Sequence, residues 1–152
     1  MTTQEKSDYE HYMKECLNLA LIARSRGDSP VGSIIVLNGK IISRGVEGGK
    51  SHKDITFHAE IEAIRQAVEF LNRTDLHDCI LVTTHEPCIM CSYVIRHHSI
   101  PLIIVGIKVP EIGGYSSGYP ILTDAKIKIW TSPPKVITGI LEMQCRKLKN
   151  GF

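Results

Sequence analysis

Between positions 8 and 26 apolar residues recur at three- and four-residue steps. Tyr9, Tyr12, Met13, Cys16, Leu17, Ala20, Leu21 and Ala23 fall on one stripe of a helix. Ser7 or Asp8 is the expected N-cap, Gly27 the stop, and Asp28-Ser29-Pro30 a turn. The pattern then changes. Val31 to Leu37 is rich in β-branched residues, Asn38-Gly39 follows, and Lys40-Ile41-Ile42-Ser43-Arg44 resumes the run; two such segments about Asn-Gly predict a hairpin. Residues 45–56 carry three glycines among polar side chains and read as a loop. Helical spacing returns over 58–72 through Ile61, Ile64, Ala67, Val68 and Leu71. Cys79 to Thr83 predicts a short strand, residues 88–98 a helix with Pro87 at or just before its first turn, and Leu102 to Gly106 a buried strand.

Residues 107–126 show no regular period, with Gly113, Gly114, Gly118, Pro110 and Pro120 around two tyrosines. Lys126 to Trp130 is the expected last strand and 134–148 a closing helix, despite Gly139. The order αββαβαβ(loop)βα predicts an α/β fold, a mixed sheet with helices on both faces. No repeat or linker interrupts it, so residues 1–152 read as a single domain.

Composition changes this picture little. Apolar residues make up 43% and charged residues 22%, as in ordinary globular proteins, and the formal charge of +2 is dispersed. No polyanionic partner is demanded, although a local basic patch binds nucleic acid even in a nearly neutral chain. No apolar run approaches the ~18–20 residues of a membrane span. The polar, partly acidic start matches neither a signal nor a transit peptide, so a cytoplasmic location is expected. Of five cysteines only Cys88 and Cys91 are close together, which points to metal or redox chemistry rather than a disulfide framework. Cys16, Cys79 and Cys145 read as ordinary buried thiols.

The chemistry gathers in two places. His58-Ala59-Glu60 and Pro87-Cys88-Ile89-Met90-Cys91 each open a predicted helix. Cysteines three apart on a helical turn share a side, and a helix N-terminus favours the thiolates that zinc needs. One imidazole and two thiolates leave a fourth tetrahedral position open, as in catalytic rather than structural zinc sites. Glu60 is not needed as a ligand and is placed to carry protons. Alone, Cys-x-x-Cys also describes a redox pair or half of a structural zinc site, and His-x-Glu says almost nothing. Together they form the H-x-E…P-C-x-x-C pattern of zinc deaminases acting on nucleobases, and the second Cys-x-x-Cys of a closed site is missing. Metal ligands His58, Cys88 and Cys91, with Glu60 catalytic, are the reading adopted. The helix start at 58–60, Ala59 included, also offers backbone N–H groups to a substrate carbonyl.

With these residues in hand, the chain resembles the cytidine deaminase-like superfamily, in particular the branch of tRNA adenosine, guanine and fungal-type cytosine deaminases. Pro30-Val31-Gly32 matches that family's "PVGA", Ala63 and Ile64 continue its "HAEIxAI" helix, and Glu86 to Cys91 match "EPCxMC". The resemblance covers about residues 10 to 106. It implies a three-layer α/β/α fold with a mixed five-stranded sheet, Zn2+ as cofactor, hydrolytic release of ammonia from a cyclic amidine, and a homodimer. The long stretch from Gly106 to Ile127 fits the branch whose last two strands are parallel.

Two departures bear on substrate. The family's asparagine, eleven residues before the ligand histidine, is here Glu47. An ionised carboxylate only accepts hydrogen bonds, so Glu47 either suits a substrate presenting N–H donors, such as an aminopurine or aminotriazine, or is an exposed loop residue. Gly106 to Glu111 also lacks the G-A-x-D-x-K-T-G-like segment of the tRNA enzymes, and the tail from Cys145 to Phe152 is less basic than theirs. These features favour a free nucleobase or nucleoside over the alternative, a tRNA adenosine deaminase. Phe57, His85 and Pro87 flank the ligands and are candidate substrate contacts, with plain packing or a surface position as the competing reading for Phe57 and His85. Glu86 either accepts a hydrogen bond near the metal helix or favours its N-terminus; His97 and His98 complement a helix C-terminus. Tyr115, Tyr119, Trp130 and Phe152 are candidates for an aromatic lid.

Overall fold

The computed structural model describes residues 1–150. Its elements are α1 (Thr3–Ser25), β1 (Gly32–Leu37), β2 (Lys40–Val46), α2 (Ala59–Leu71), β3 (Cys79–His85), α3 (Ile89–His97), β4 (Leu102–Ile107), β5 (Lys135–Ile137) and α4 (Glu142–Lys149). This is the predicted order. The first helix begins ahead of its apolar stripe because Thr2, not Ser7 or Asp8, caps it. The Glu5 N–H donates to the Thr2 hydroxyl at 3.0 Å and the Thr2 N–H to the Glu5 carboxylate at 3.2 Å, a capping box. The hairpin turn has φ of 50° at Asn38 and 76° at Gly39, the paired left-handed residues that match the twist of a tight hairpin.

The five strands lie in the order β2-β1-β3-β4-β5. β1 is antiparallel to both β2 and β3, while β3, β4 and β5 run parallel, as the long connection before β5 implied. Period-two alternation sends successive residues of β1 to opposite layers. Ile34 and Val36 pack with Met13 and Cys16 of α1 and Cys145 of α4. Ile35 packs with Ala63 and Ile64 of α2 and Ile95 of α3. Burial on both faces explains why β1 reads as a continuous apolar run rather than an alternating one. The result is a mixed five-stranded sheet between two helical layers, the fold class expected.

The stretch from Lys126 to Trp130 is not a strand. Its alternating Lys-Ile pattern is overridden by the buried Arg96 of α3, which turns the segment around itself. The guanidinium donates to the carbonyls of Ile121 at 2.7 Å, Asp124 at 2.9 Å and Thr131 at 3.3 Å, and lies 5.0 Å from the centre of the Trp130 ring. The last strand forms instead just beyond Pro133 and Pro134. The closing helix starts only at Glu142, because Gly139 (φ 88°) and Leu141 (φ 51°) take left-handed conformations that end any earlier helix. Among the described residues no helix is long and apolar enough to cross a membrane.

Candidate active site

Two helix N-termini meet at one end of the sheet. α2 lies so close on β2 that a Cβ at Gly45 would sit 1.9 Å from the Ala59 carbonyl oxygen and 2.7 Å from the Ala63 nitrogen. Only glycine permits that approach, and it sets His58 and Glu60 over the strand ends. His58 is the N-cap residue of α2 and Cys88 that of α3. The partial positive charge of both helix starts therefore faces the same point, where it favours thiolates.

His58 Nδ1 lies 3.6 Å from Cys88 Sγ and 3.4 Å from Cys91 Sγ, and the three donor atoms fall within 4.8 Å of one another. Ordinary Zn–N and Zn–S bonds at a tetrahedral ion separate nitrogen from sulfur by about 3.6 Å, so the donor set and its spacing fit zinc. Protonation agrees. The Cys88 thiol is pulled down to about 4, first by its hydrogen bond with Cys91 and also by His58. Cys91 moves the other way, pushed up by that same bond and by burial. Two adjacent thiolates repel, so the second proton leaves when a cation replaces it. The Cys88 contact also lifts His58 to about 9.

Glu60 is 4% exposed, and burial, opposed by Cys91 and His58, pushes it up to about 7. A carboxyl in that range both takes and returns a proton near neutral pH. It borders a cavity of about 200 Å³ together with Glu47, His58, His85 and Cys88. That volume is below the ~300–1,000 Å³ of drug-sized sites and suits a single flat ring. Burial pushes His85 down to about 4, helped by Lys149.

Other expected contacts lie elsewhere. Phe57 stacks on His52 with ring centres 3.8 Å apart, Ala59 is packed under Gly45, and Pro87 is buried with its carbonyl accepting the Gly114 N–H at 2.8 Å. None of the three lines the cavity. Nor do the proposed lid residues: Tyr115 packs against the core, Tyr119 is exposed, and Trp130 lies edge-on to Tyr93. Phe152 lies outside the described residues. His97 and His98 stand at the end of α3, where the Trp130 indole N–H reaches His97 and the His98 ring bonds the Thr74 carbonyl.

The rest of the wall is formed by residues that sequence reasoning missed. Ser29 and Val31 come from the turn before β1, and Val109 and Ile112 from the segment after β4. That segment is wrapped around the Glu86 carboxylate. It accepts the N–H groups of Val109 at 3.0 Å, Tyr115 at 2.9 Å and Ser116 at 2.8 Å, and the Ser116 hydroxyl. A Cβ at Gly113 would lie 1.7 Å from Glu86 Oε2. Asp28 does the same for the loop after β2, accepting the N–H groups of Lys50 at 3.0 Å and Ser51 at 2.9 Å and the Ser51 hydroxyl at 2.6 Å. The Gly113-Gly114 pair and the glutamate preceding Pro87 were the available signals.

The profile of the cytidine and deoxycytidylate deaminase zinc-binding region matches residues 6–107. The tRNA-specific adenosine deaminase of Aquifex aeolicus is 36% identical over 147 residues, covering 94% of this chain and 97% of the relative. A solved structure from work on A-to-I editing by tRNA:A34 deaminases superposes with a TM-score of 0.84 at 31% identity, over 91% of this chain and 98% of that one. A guanine deaminase structure from Bacillus subtilis is 32% identical but superposes less well, with a TM-score of 0.63 over 71% of this chain and 66% of its own.

These likenesses overturn the expectation of a free nucleobase, nucleoside or aminotriazine-like substrate, and with it the placing of tRNA second. Glu47 is engaged by its own loop, its Oε2 accepting the Gly49 N–H at 3.1 Å, so its presence does not by itself require a substrate rich in N–H donors. The tail, already basic along the sequence, forms a short helix with Arg146, Lys147 and Lys149 in its last turn, and Lys149 acts on the cavity-lining His85.

Proposed function

The chain belongs to the cytidine and deoxycytidylate deaminase zinc-binding family, and from that premise we propose that it is a tRNA adenosine deaminase, converting adenosine to inosine within an RNA chain. The observation that carries the substrate is the nearly full-length likeness to tRNA-specific adenosine deaminases. The basic last turn of α4, whose Lys149 acts on the cavity-lining His85, agrees with it, since phosphate contacts from Lys and Arg supply most of the affinity for nucleic acid. A tRNA substrate also agrees with the cytoplasmic location expected from the sequence.

In the reaction, water adds at C6 of the adenine ring and ammonia leaves, giving the 6-oxo product. His58, Cys88 and Cys91 would hold the zinc, which when bound would supply Lewis acidity for activating water at neutral pH. Glu60 takes the proton from the attacking water and delivers it to the departing nitrogen, so that one carboxyl serves both halves of the reaction. The narrow cavity admits the base alone and forces it out of its stack. Glu47 and His85 contact the ring or its ribose from the cavity wall.

The test is a single incubation of the zinc-loaded protein with a tRNA anticodon stem-loop carrying adenosine at the wobble position, read by mass spectrometry after nuclease digestion. Inosine is expected, with KM rising steeply between 50 and 200 mM salt, roughly as the power law of several released counterions. Free adenosine is expected to react at least about 100-fold more slowly, having lost the phosphate contacts. Equal rates on adenosine and the stem-loop would sink the RNA reading.

We also propose a homodimer joined through the groove between α2 and α3. Ile61, Ile64, Val68 and Val94 line this groove, with Ile89 and Tyr93 exposed on α3. Light scattering of the eluted protein should give twice the 17.0 kDa chain mass. A Tyr93→Asp variant should elute as a monomer, because Tyr93 is exposed in the single chain and a buried unpaired charge is costly at an apolar contact. A wild-type monomer at micromolar concentration would refute it.

A further inference from the structure

Beneath Glu60 lie two hydroxyl groups that neither the motif nor the proposed mechanism uses. Ser33 of β1 and Thr83 of β3 are direct cross-strand partners, both fully buried. Ser33 Oγ lies 2.8 Å from Thr83 Oγ1 and 3.3 Å from Glu60 Oε1. Their neighbours on the same strand faces, Ile35 and Leu81, are apolar and pack in the core. Buried hydroxyls there are disfavoured unless they make hydrogen bonds, and among the described residues these two bond only toward Glu60 and each other.

We propose that Ser33 is a positioning residue for Glu60, holding its carboxylate in the orientation that faces the cavity. An ionised carboxylate only accepts, so the single Ser33 proton points to Oε1 and Thr83 donates to Ser33 Oγ in turn. The chain Thr83→Ser33→Glu60 runs from the rigid centre of the sheet to the start of α2. Anchoring one oxygen removes rotational freedom that Glu60 would otherwise lose during turnover, which raises the rate without changing how substrate binds. The inference rests on Glu60 being the acid–base group, and the experiment separates the two claims.

Ser33→Ala is made in the wild-type and in the Glu60→Gln background, and kcat, KM, zinc content and thermal midpoint are measured on the stem-loop. In the wild-type background kcat is expected to fall about five- to tenfold with KM unchanged, the signature of an interaction used only in turnover. Zinc content should stay the same. In the Glu60→Gln background the same change should have no further effect on the residual rate, since coupled residues fail to add. A kcat within twofold of wild type overturns the role of Ser33. An equal loss in both backgrounds also overturns it, because Ser33 would then act on the fold and not on Glu60. If Glu60→Gln itself retains full activity, the acid–base assignment falls instead. Should Ser33→Ala lose zinc or fail to fold, the isosteric Thr83→Val tests the chain from its other end: a roughly threefold loss of kcat is expected and no loss overturns the proposal.

Discussion

Replacing Cys88 or Cys91 with alanine, or stripping the metal with a chelator, is expected to abolish deamination while leaving the protein folded. The three donors fit one tetrahedral ion, and removing one leaves two, too few to hold zinc against water. Metal content should fall from about one zinc per chain to a small fraction of that, and activity to background. The fold should survive. Both core clusters are built from helix-to-sheet contacts such as Ile35–Ile64 and Met13–Ile34, and a chain of this size buries enough apolar surface without a staple. Circular dichroism should therefore keep its helical signal after chelation, and added zinc should restore the rate. A structural zinc site behaves in the opposite way, unfolding when the metal leaves. Loss of helical signal in step with zinc would overturn the catalytic reading of this centre and support the structural one.

The fold was legible wherever one period dominated. β1, β2, α2, β3, α3 and β4 each carry an unbroken run of one pattern, and each appears within a residue or two of its expected bounds. The failures have separate physical causes. α1 begins early because a capping box outranks the apolar stripe as a start signal. The Lys126–Trp130 stretch alternates like a strand, but a buried arginine forty residues or fewer away in sequence claims three of the neighbouring carbonyls, and no local pattern announces that. β5 has only three residues, Lys135–Ile137, fewer than periodicity can detect.

At the site the division is similar. His58, Glu60, Cys88 and Cys91 could be read because short spacings on two helix starts encode their geometry directly. Val109 and Ile112 could not, because their place depends on how Glu86 gathers backbone N–H groups from a segment more than twenty residues downstream. The substrate was misread for a related reason. Charge counted along the tail does not show that Lys149 of α4 acts on His85 in the cavity wall. Glu47 was read either as an acceptor for substrate N–H groups or as an exposed loop residue, yet it is buried and its own loop already supplies a donor.

Glu60→Gln is expected to cut kcat by about 10²- to 10⁴-fold while zinc content and KM for the stem-loop stay near wild type. Glutamine keeps the shape of the side chain and can still accept from the Ser33 hydroxyl. What it loses is the ability to exchange a proton, and the reaction needs that twice, once from water and once to the leaving nitrogen. The metal should remain because Glu60 contributes no donor to the His58–Cys88–Cys91 cluster. Substrate should bind as before because the affinity comes from phosphate contacts outside the cavity. Glu60→Asp offers the same chemistry on a stem one carbon shorter, and an intermediate rate is expected from misplacement alone. The ranking wild type above Asp above Gln, at constant zinc, separates a proton carrier from a residue that merely fills the cleft, for which the isosteric Gln would outrank the shortened Asp. Full activity in the zinc-loaded Gln variant would remove Glu60 from the mechanism.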